Sequence, residues 1–116
     1  MNYNNDFKYD LEVGRKYETQ LAELLGKRIE VKRDFHCLRT GNIFVEYESR
    51  NKLSGISTTH AEYWAYWLSD DHCILIKTDR LKEMCRKYLN TSRDILGGDS
   101  NTSKGILLPT KEFIEN

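Results

Sequence analysis

Arg28-Ile29-Glu30-Val31-Lys32-Arg33-Asp34 and Asn42-Ile43-Phe44-Val45-Glu46-Tyr47-Glu48 are the two segments on which the fold turns. Both read as β-strands, because apolar β-branched and aromatic residues alternate in them with charged ones. Alternation puts Glu30, Lys32 and Asp34 on one face of the first strand, and Phe44, Glu46 and Glu48 on one face of the second. A turn around Leu38-Arg39-Thr40-Gly41-Asn42 joins them, so an antiparallel hairpin is expected. With Asp34 opposite Glu46, Lys32 falls opposite Glu48, and three carboxylates share a patch with one amine. Carboxylates this close repel unless a cation lies between them. Oxygen ligands of that kind suit a hard divalent ion, and such a site suits hydrolysis of a phosphodiester.

Before the first strand, a helix is expected over residues 13–25, ended by Gly26. Val13, Tyr17, Leu21, Leu24 and Leu25 form its apolar stripe. Glu18 lies beside that stripe with Gly14 and Ala22 a turn away, small neighbours that let the helix approach a sheet and turn the carboxylate toward it. The first twelve residues read as a loose leading segment, polar with scattered aromatics.

After the second strand comes a loop dense in hydroxyls, Ser54-Gly55-Ile56-Ser57-Thr58-Thr59. Ala61-Glu62-Tyr63-Trp64-Ala65-Tyr66-Trp67-Leu68 fits helix or strand; its aromatics and the following turn, Ser69-Asp70-Asp71, favour strand. Its aromatics suit either a sheet core or stacking on unpaired bases, and core is the commoner use. Cys73-Ile74-Leu75-Ile76-Lys77 is a clear strand, and Thr78 is placed to cap a second helix over 79–89. Residues 90–103 read as a loop whose Gly97-Gly98-Asp99 is too short for a phosphate loop. Gly105-Ile106-Leu107-Leu108 is a last strand ended by Pro109, with a closing helical turn over 110–114.

The 116 residues form one domain, and 39% hydrophobic with 31% charged content is that of an ordinary soluble globular protein. No apolar run is long enough for a bilayer and no signal-peptide pattern opens the sequence, so cytoplasmic residence is the default expectation. Cys37, Cys73 and Cys85 make no CxxC pair, which favours reduced thiols over zinc. Cys85 belongs to an apolar helix face, and Cys37 beside His36 lacks the third partner a nucleophile needs. Net charge is zero. Yet Lys27, Arg28, Lys32, Arg33 and Arg39, and later Lys77, Arg80, Lys82, Arg86, Lys87 and Arg93, outnumber the acids around them. Such a belt fits a phosphate backbone or a solvated face.

In element order and in three sparse matches, the chain resembles the PD-(D/E)XK nuclease superfamily, in plan nearest to phage-type nucleases and Holliday-junction resolvases. The resemblance covers roughly residues 14–108. Gly14-Arg15-Lys16-Tyr17-Glu18 resembles the helix-one segment that carries an acidic metal-site residue. Asp34 matches the aspartate of the PD motif, with Arg33 in place of proline. Glu46-Tyr47-Glu48 matches the (D/E)XK strand with Glu48 where lysine is usual, similar to the ExE of some restriction endonucleases.

The resemblance implies an α+β, restriction-endonuclease-like core, a central mixed sheet with antiparallel hairpins flanked by helices, in the order α-β-β-β-(β)-α-β. It implies a metal-dependent deoxyribonuclease, a structure-selective or phage-type endonuclease leaving a 5′-phosphate. Asp34, Glu46 and Glu18 would hold Mg²⁺ or Mn²⁺, and either Lys32 or Glu48 takes the role of the motif lysine. Glu30 is a further acid on the same face. DNA is the implied partner, with Ser54, Ser57, Thr58, Thr59, Arg33, Arg80 and Lys82 as candidate contacts, and a homodimer would suit symmetric cutting of two strands. His60, alone at an element start, has a weaker claim to DNA or metal. A competing registration takes Glu30-Val31-Lys32 as the (D/E)XK, with Asp6 or Asp10 as first aspartate. Two other readings remain: a nuclease-fold module that binds DNA or a protein without hydrolysis, and a small structural or inhibitory protein.

Overall fold

Among the described residues, seven strands divide between two sheets rather than sharing the single one expected. The computed structural model describes residues 3–115 and, from Leu11 onward except Asp99, their side chains. The elements in chain order are α1 (Tyr3–Leu25), β1 (Ile29–Arg33), α2 (Cys37–Thr40), β2 (Asn42–Ser49), β3 (Lys52–Leu53), β4 (Tyr63–Trp67), β5 (Cys73–Lys77), α3 (Thr78–Arg86), β6 (Asp94–Gly97) and β7 (Ser103–Pro109). Short 3-10 turns occupy Gly55–Ser57, Asp99–Asn101 and Thr110–Ile114. One sheet is mixed, ordered β1-β4-β5 with β1 parallel to β4; the other is antiparallel, ordered β3-β2-β7-β6. The fold is therefore α+β.

The expected hairpin does not form. β1 pairs with β4, Ile29 against Tyr63 through Arg33 against Trp67, while β2 pairs with β7. Neither Asp34 and Glu46 nor Lys32 and Glu48 face each other across a ladder. The connection between β1 and β2 explains why. It is not a hairpin turn but the short α2, closed by Gly41 at φ 74°, whose N–H donates to the Cys37 carbonyl at 2.8 Å. Glycine suits this left-handed position because it has no Cβ. Cys37 is buried, so the connection dips into the core and sends the two strands to different partners.

Those partners supply the burial. Ile43 and Val45 of β2 join Ile106 and Leu108 of β7, Leu81, Met84 and Cys85 of α3, and Trp64 and Tyr66 of β4 in one core. Full burial of each such side chain contributes roughly 1.5–3 kcal/mol. Trp64 and Tyr66 stack with ring centroids 5.9 Å apart, so the aromatic segment is a strand and mainly core, as its composition suggests. The strand over Cys73–Lys77 also forms as expected.

Both helices depart from expectation in instructive ways. Residues 3–12 are helical and not loose, because α1 starts at Tyr3. Its stripe is not buried: Val13 and Leu24 are half-buried, whereas Tyr17, Leu21 and Leu25 are exposed. Its C-terminal part lies beside the mixed sheet, where Tyr17, Leu21 and Leu24 share a cavity with Tyr63 and Leu75. The rest projects: the molecule measures 58 × 28 × 28 Å. Its radius of gyration of 17.3 Å exceeds the roughly 13 Å of a globule this long. Asp6 and Asp10 fall on α1 and not on a strand, and their side chains lie outside those described.

Thr78 does not cap α3. Lys77 holds that place, and the Thr78 hydroxyl donates to the Ala61 carbonyl at 2.7 Å, tying the helix start to the segment before β4. α3 ends at Arg86, and part of the expected 90–103 loop pairs as β6 against β7. No helix among the described residues is long and apolar enough to cross a membrane.

The final 3-10 turn docks through Glu112, which accepts hydrogen bonds from the Tyr88 hydroxyl and from Lys87 Nζ. The Tyr88 bond is the main cause holding its carboxyl below the usual value of 4.5. A carboxylate lowered on folding stabilises the protein above its unfolded value and loses that contribution as pH falls through the folded one. Glu112→Gln is therefore expected to lower stability at pH 7 by about 1 kcal/mol, with the gap to wild type closing as the pH falls below the carboxyl's usual range. Urea unfolding across that acid range and at neutral pH measures this, and a gap unchanged at low pH contradicts it.

Candidate functional site

Asp34 sits where the two sheets meet. Its N–H donates to the Trp67 carbonyl at 3.0 Å, continuing the β1–β4 ladder by one residue. Its Oδ1 accepts the His36 N–H at 2.9 Å, a side-chain turn that short acids form readily. Its Oδ2 accepts the Phe44 N–H of β2 at 3.0 Å. One carboxylate thus fastens the end of the mixed sheet to the edge of the antiparallel one.

Two residues on, Glu46 shares the Phe44 face of β2. Its Oε2 accepts a hydrogen bond from the Ser54 hydroxyl at 2.9 Å. Gly55, at φ 53°, brings the loop so near that a Cβ there would collide with the Glu46 carbonyl oxygen. On the facing sheet, Lys32 Nζ lies 3.5 Å from Glu30 Oε1 and 5.8 Å from the Trp64 ring centroid.

Asp34, Glu46 and Lys32 line one cavity of about 610 Å³, with Arg33, Phe35, His36, Phe44, Trp64 and Tyr66 among its walls. The Phe44 ring lies over Gly97 and Gly105, and a Cβ on either would press into it. The Tyr66 hydroxyl is pushed up first by burial and then by its neighbours Cys85, Asp34, Glu30 and Glu46. Three carboxylates therefore bear on one buried phenol.

The other expected site residues lie apart. Glu48 is diverted by a β-bulge: Glu46 is in register with Gly105 and Glu48 with Lys104, so Tyr47 is the extra residue. A bulge interrupts alternation, and the Glu48 carboxylate instead pairs with Lys104 at 3.5 Å. Glu18 is exposed on α1 and does not line the cavity, and none of the described α1 side chains joins the core. Among the described residues, no three His, Cys, Asp or Glu side chains converge to hold a metal. The expected triad of Asp34, Glu46 and Glu18 is thus reduced to a pair. Asp34 and Glu46 line the same cavity, and a magnesium-like ion commonly takes one or two carboxylates and fills its sphere with water and phosphate oxygens. Each carboxylate has about four acceptor sites, and the hydrogen bonds above use only some of them.

The hydroxyl loop has mainly internal work. Ser54 holds Glu46, Thr58 reaches back to Gly55, and Thr59 accepts from the Ala61 N–H. Ser57 and Lys82 line a second cavity outside the first. Lys82, Thr59 and His60 meet in a third. Arg80 pairs with Glu83 at 3.3 Å. Arg33 alone of the expected arginine and lysine DNA contacts belongs to the main cavity. Cys37 is a core residue with its thiol directed at the Asp34 carbonyl, and burial raises its pKa, which removes it as a nucleophile.

Sequence reasoning passed over Phe35 and the shared role of Phe44, Trp64 and Tyr66 as walls. Phe35, an isolated aromatic between Asp34 and His36 in a polar turn, was the available signal. No protein-family model, no curated protein and no solved structure matches this chain.

Asp34→Asn gives one of its two backbone donors an amide in place of an acceptor, and is expected to destabilise the fold by about 1–3 kcal/mol. Glu46→Gln keeps an oxygen for Ser54 and should cost well under 1 kcal/mol. Thermal melts of the two variants compare them directly; equal losses would mean that Asp34 does not join the sheets. Gly105→Ala should cost about 1–3 kcal/mol by displacing Phe44, and a wild-type melt would contradict the tight floor.

Proposed function

We propose that this chain is a metal-dependent endodeoxyribonuclease of the PD-(D/E)XK type, with a restriction-endonuclease-like core, cutting DNA in the cavity between its sheets. The observation that carries this reading is the meeting of Asp34, Glu46 and Lys32 in one cavity, although they come from different sheets. Asp34 and Glu46 would hold Mg²⁺ or Mn²⁺. Such an ion, when bound, supplies Lewis acidity toward water and phosphate oxygens.

The chain's own residues do the positioning. Two backbone N–H groups hold the Asp34 carboxylate still, and the Ser54 hydroxyl holds Glu46, so both are oriented before substrate arrives. Lys32 is restrained by Glu30 and the Trp64 face and presents its ammonium to charge gathering on the phosphate. Lys32 is preferred to Glu48 for the role of the motif lysine, since Glu48 is engaged by Lys104. Arg33 and His36 supply further donors for a DNA phosphate at the cavity wall. Water attacks phosphorus, the bond to the 3′-oxygen breaks, and a 5′-phosphate remains. A homodimer would bring two such cavities to two DNA strands.

A second reading has one observation in its favour: both Asp34 oxygens already accept backbone hydrogen bonds. In that case the cavity binds DNA without hydrolysing it. Incubation with supercoiled and branched DNA in Mg²⁺, Mn²⁺ or chelator separates the two. Nuclease activity predicts metal-dependent nicking that Glu46→Gln lowers at least a hundredfold, and Lys32→Ala should reduce turnover more than affinity. Binding without nicking in either metal selects the second reading, and nicking by Glu46→Gln at the wild-type rate removes the site assignment.

A further inference from the structure

We propose that Phe35 is a stacking platform for an unpaired nucleobase at the cavity wall. The substrate of the nuclease proposed above is then DNA with single-stranded nucleotides beside the cut phosphate, not uninterrupted duplex. The clause about cleavage rests on that nuclease reading; the platform itself does not.

Phe35 is 77% exposed, an unusual state for so large an apolar ring. It is also held in place. The Arg33 guanidinium lies over the ring, 4.4 Å from its centroid. That guanidinium is fixed by hydrogen bonds from its Nη1 to the carbonyls of Asp34 at 2.9 Å and Leu68 at 2.8 Å. On either side of Phe35 the backbone is pinned, Asp34 N–H to Trp67 and His36 N–H to the Asp34 carboxylate. Stacking on such a ring therefore orders few groups that are not already ordered.

The surroundings favour a nucleotide over a purely apolar ligand. Lys32, Arg33 and His36 line the same cavity and suit a phosphate backbone, and the residue preceding the ring is Asp34 itself. Base-on-aromatic stacking tolerates any sequence, because every base has a π-face. The other aromatic residues of the cavity serve less well: Trp64 and Tyr66 are buried in the core, and the half-buried Phe44 ring is laid against Gly97 and Gly105. Trp67 is partly exposed but outside the cavity wall. A base paired inside a duplex has its faces covered by neighbours, so the platform discriminates for unpaired ones.

The test uses the full chain in chelator, where no cleavage is needed, with fluorescein-labelled single-stranded DNA and the matching duplex followed by anisotropy. Wild type should bind the single strand more tightly than the duplex. Phe35→Ala should weaken single-strand binding about tenfold and change duplex binding less than about twofold. Phe35→Trp should restore single-strand affinity and add a tryptophan emission that the single strand quenches. The platform is overturned by a wild type that shows no preference, or by Phe35→Ala leaving single-strand affinity intact or weakening both DNAs alike. Because Phe35 is exposed, a folded variant is expected, and its melt checks that. Metal-dependent nicking with no Phe35 effect on binding would sink the platform alone. A Phe35 effect without nicking would leave the platform standing and the nuclease reading refuted.

Discussion

The carboxylate of Asp34 is the group through which the two sheets are joined. It closes the turn at His36 and satisfies the Phe44 N–H on the edge of β2, while the Asp34 backbone extends the ladder to β4. A backbone donor left unpaired where water is scarce costs about 1–3 kcal/mol. Charge-assisted bonds from an ionised acceptor are among the stronger ones available. Two sheets that share no ladder are joined here, and the cavity lies where they join.

From that joint the geometry of the cavity follows in steps. β2 is fixed against β1 near Asp34 and against β7 along its length. Gly97 and Gly105 leave room for the Phe44 ring, which forms a floor, and Gly55 lets the hydroxyl loop press on Glu46. Lys32 arrives from the opposite sheet because β1 alternation aligns it with Tyr66, its partner in the β1–β4 register. The acids and the amine meet because two separately stabilised sheets are pinned at one residue. No hairpin ladder brings them together.

That arrangement spreads structural duty unequally over the residues of the cavity. Asp34 carries most of it, which makes its substitution a poor probe of the proposed chemistry. Glu46 is braced by one hydroxyl and Lys32 by one acid and one ring, so each can change without dismantling the joint. Phe35 is exposed and contributes little to the core, yet its position is determined by the same turn that Asp34 closes.

The local code of the sequence determined much by itself. Alternation marked β1, β2 and β5, aromatic content marked β4, helical spacing and Gly26 marked the end of α1, and Leu81, Met84 and Cys85 marked the buried face of α3. It also singled out Asp34, Glu46 and Lys32, since alternation assigns faces without knowing partners. Partners were decided only in three dimensions. Burial of Cys37 in α2 turned an apparent hairpin into a crossover between sheets, and the bulge at Tyr47 sent Glu48 to Lys104. The projection of α1 kept Glu18 out of the cavity. Each of these depends on which distant surface buries the most apolar area, a property of the assembled chain that no window of neighbouring residues encodes.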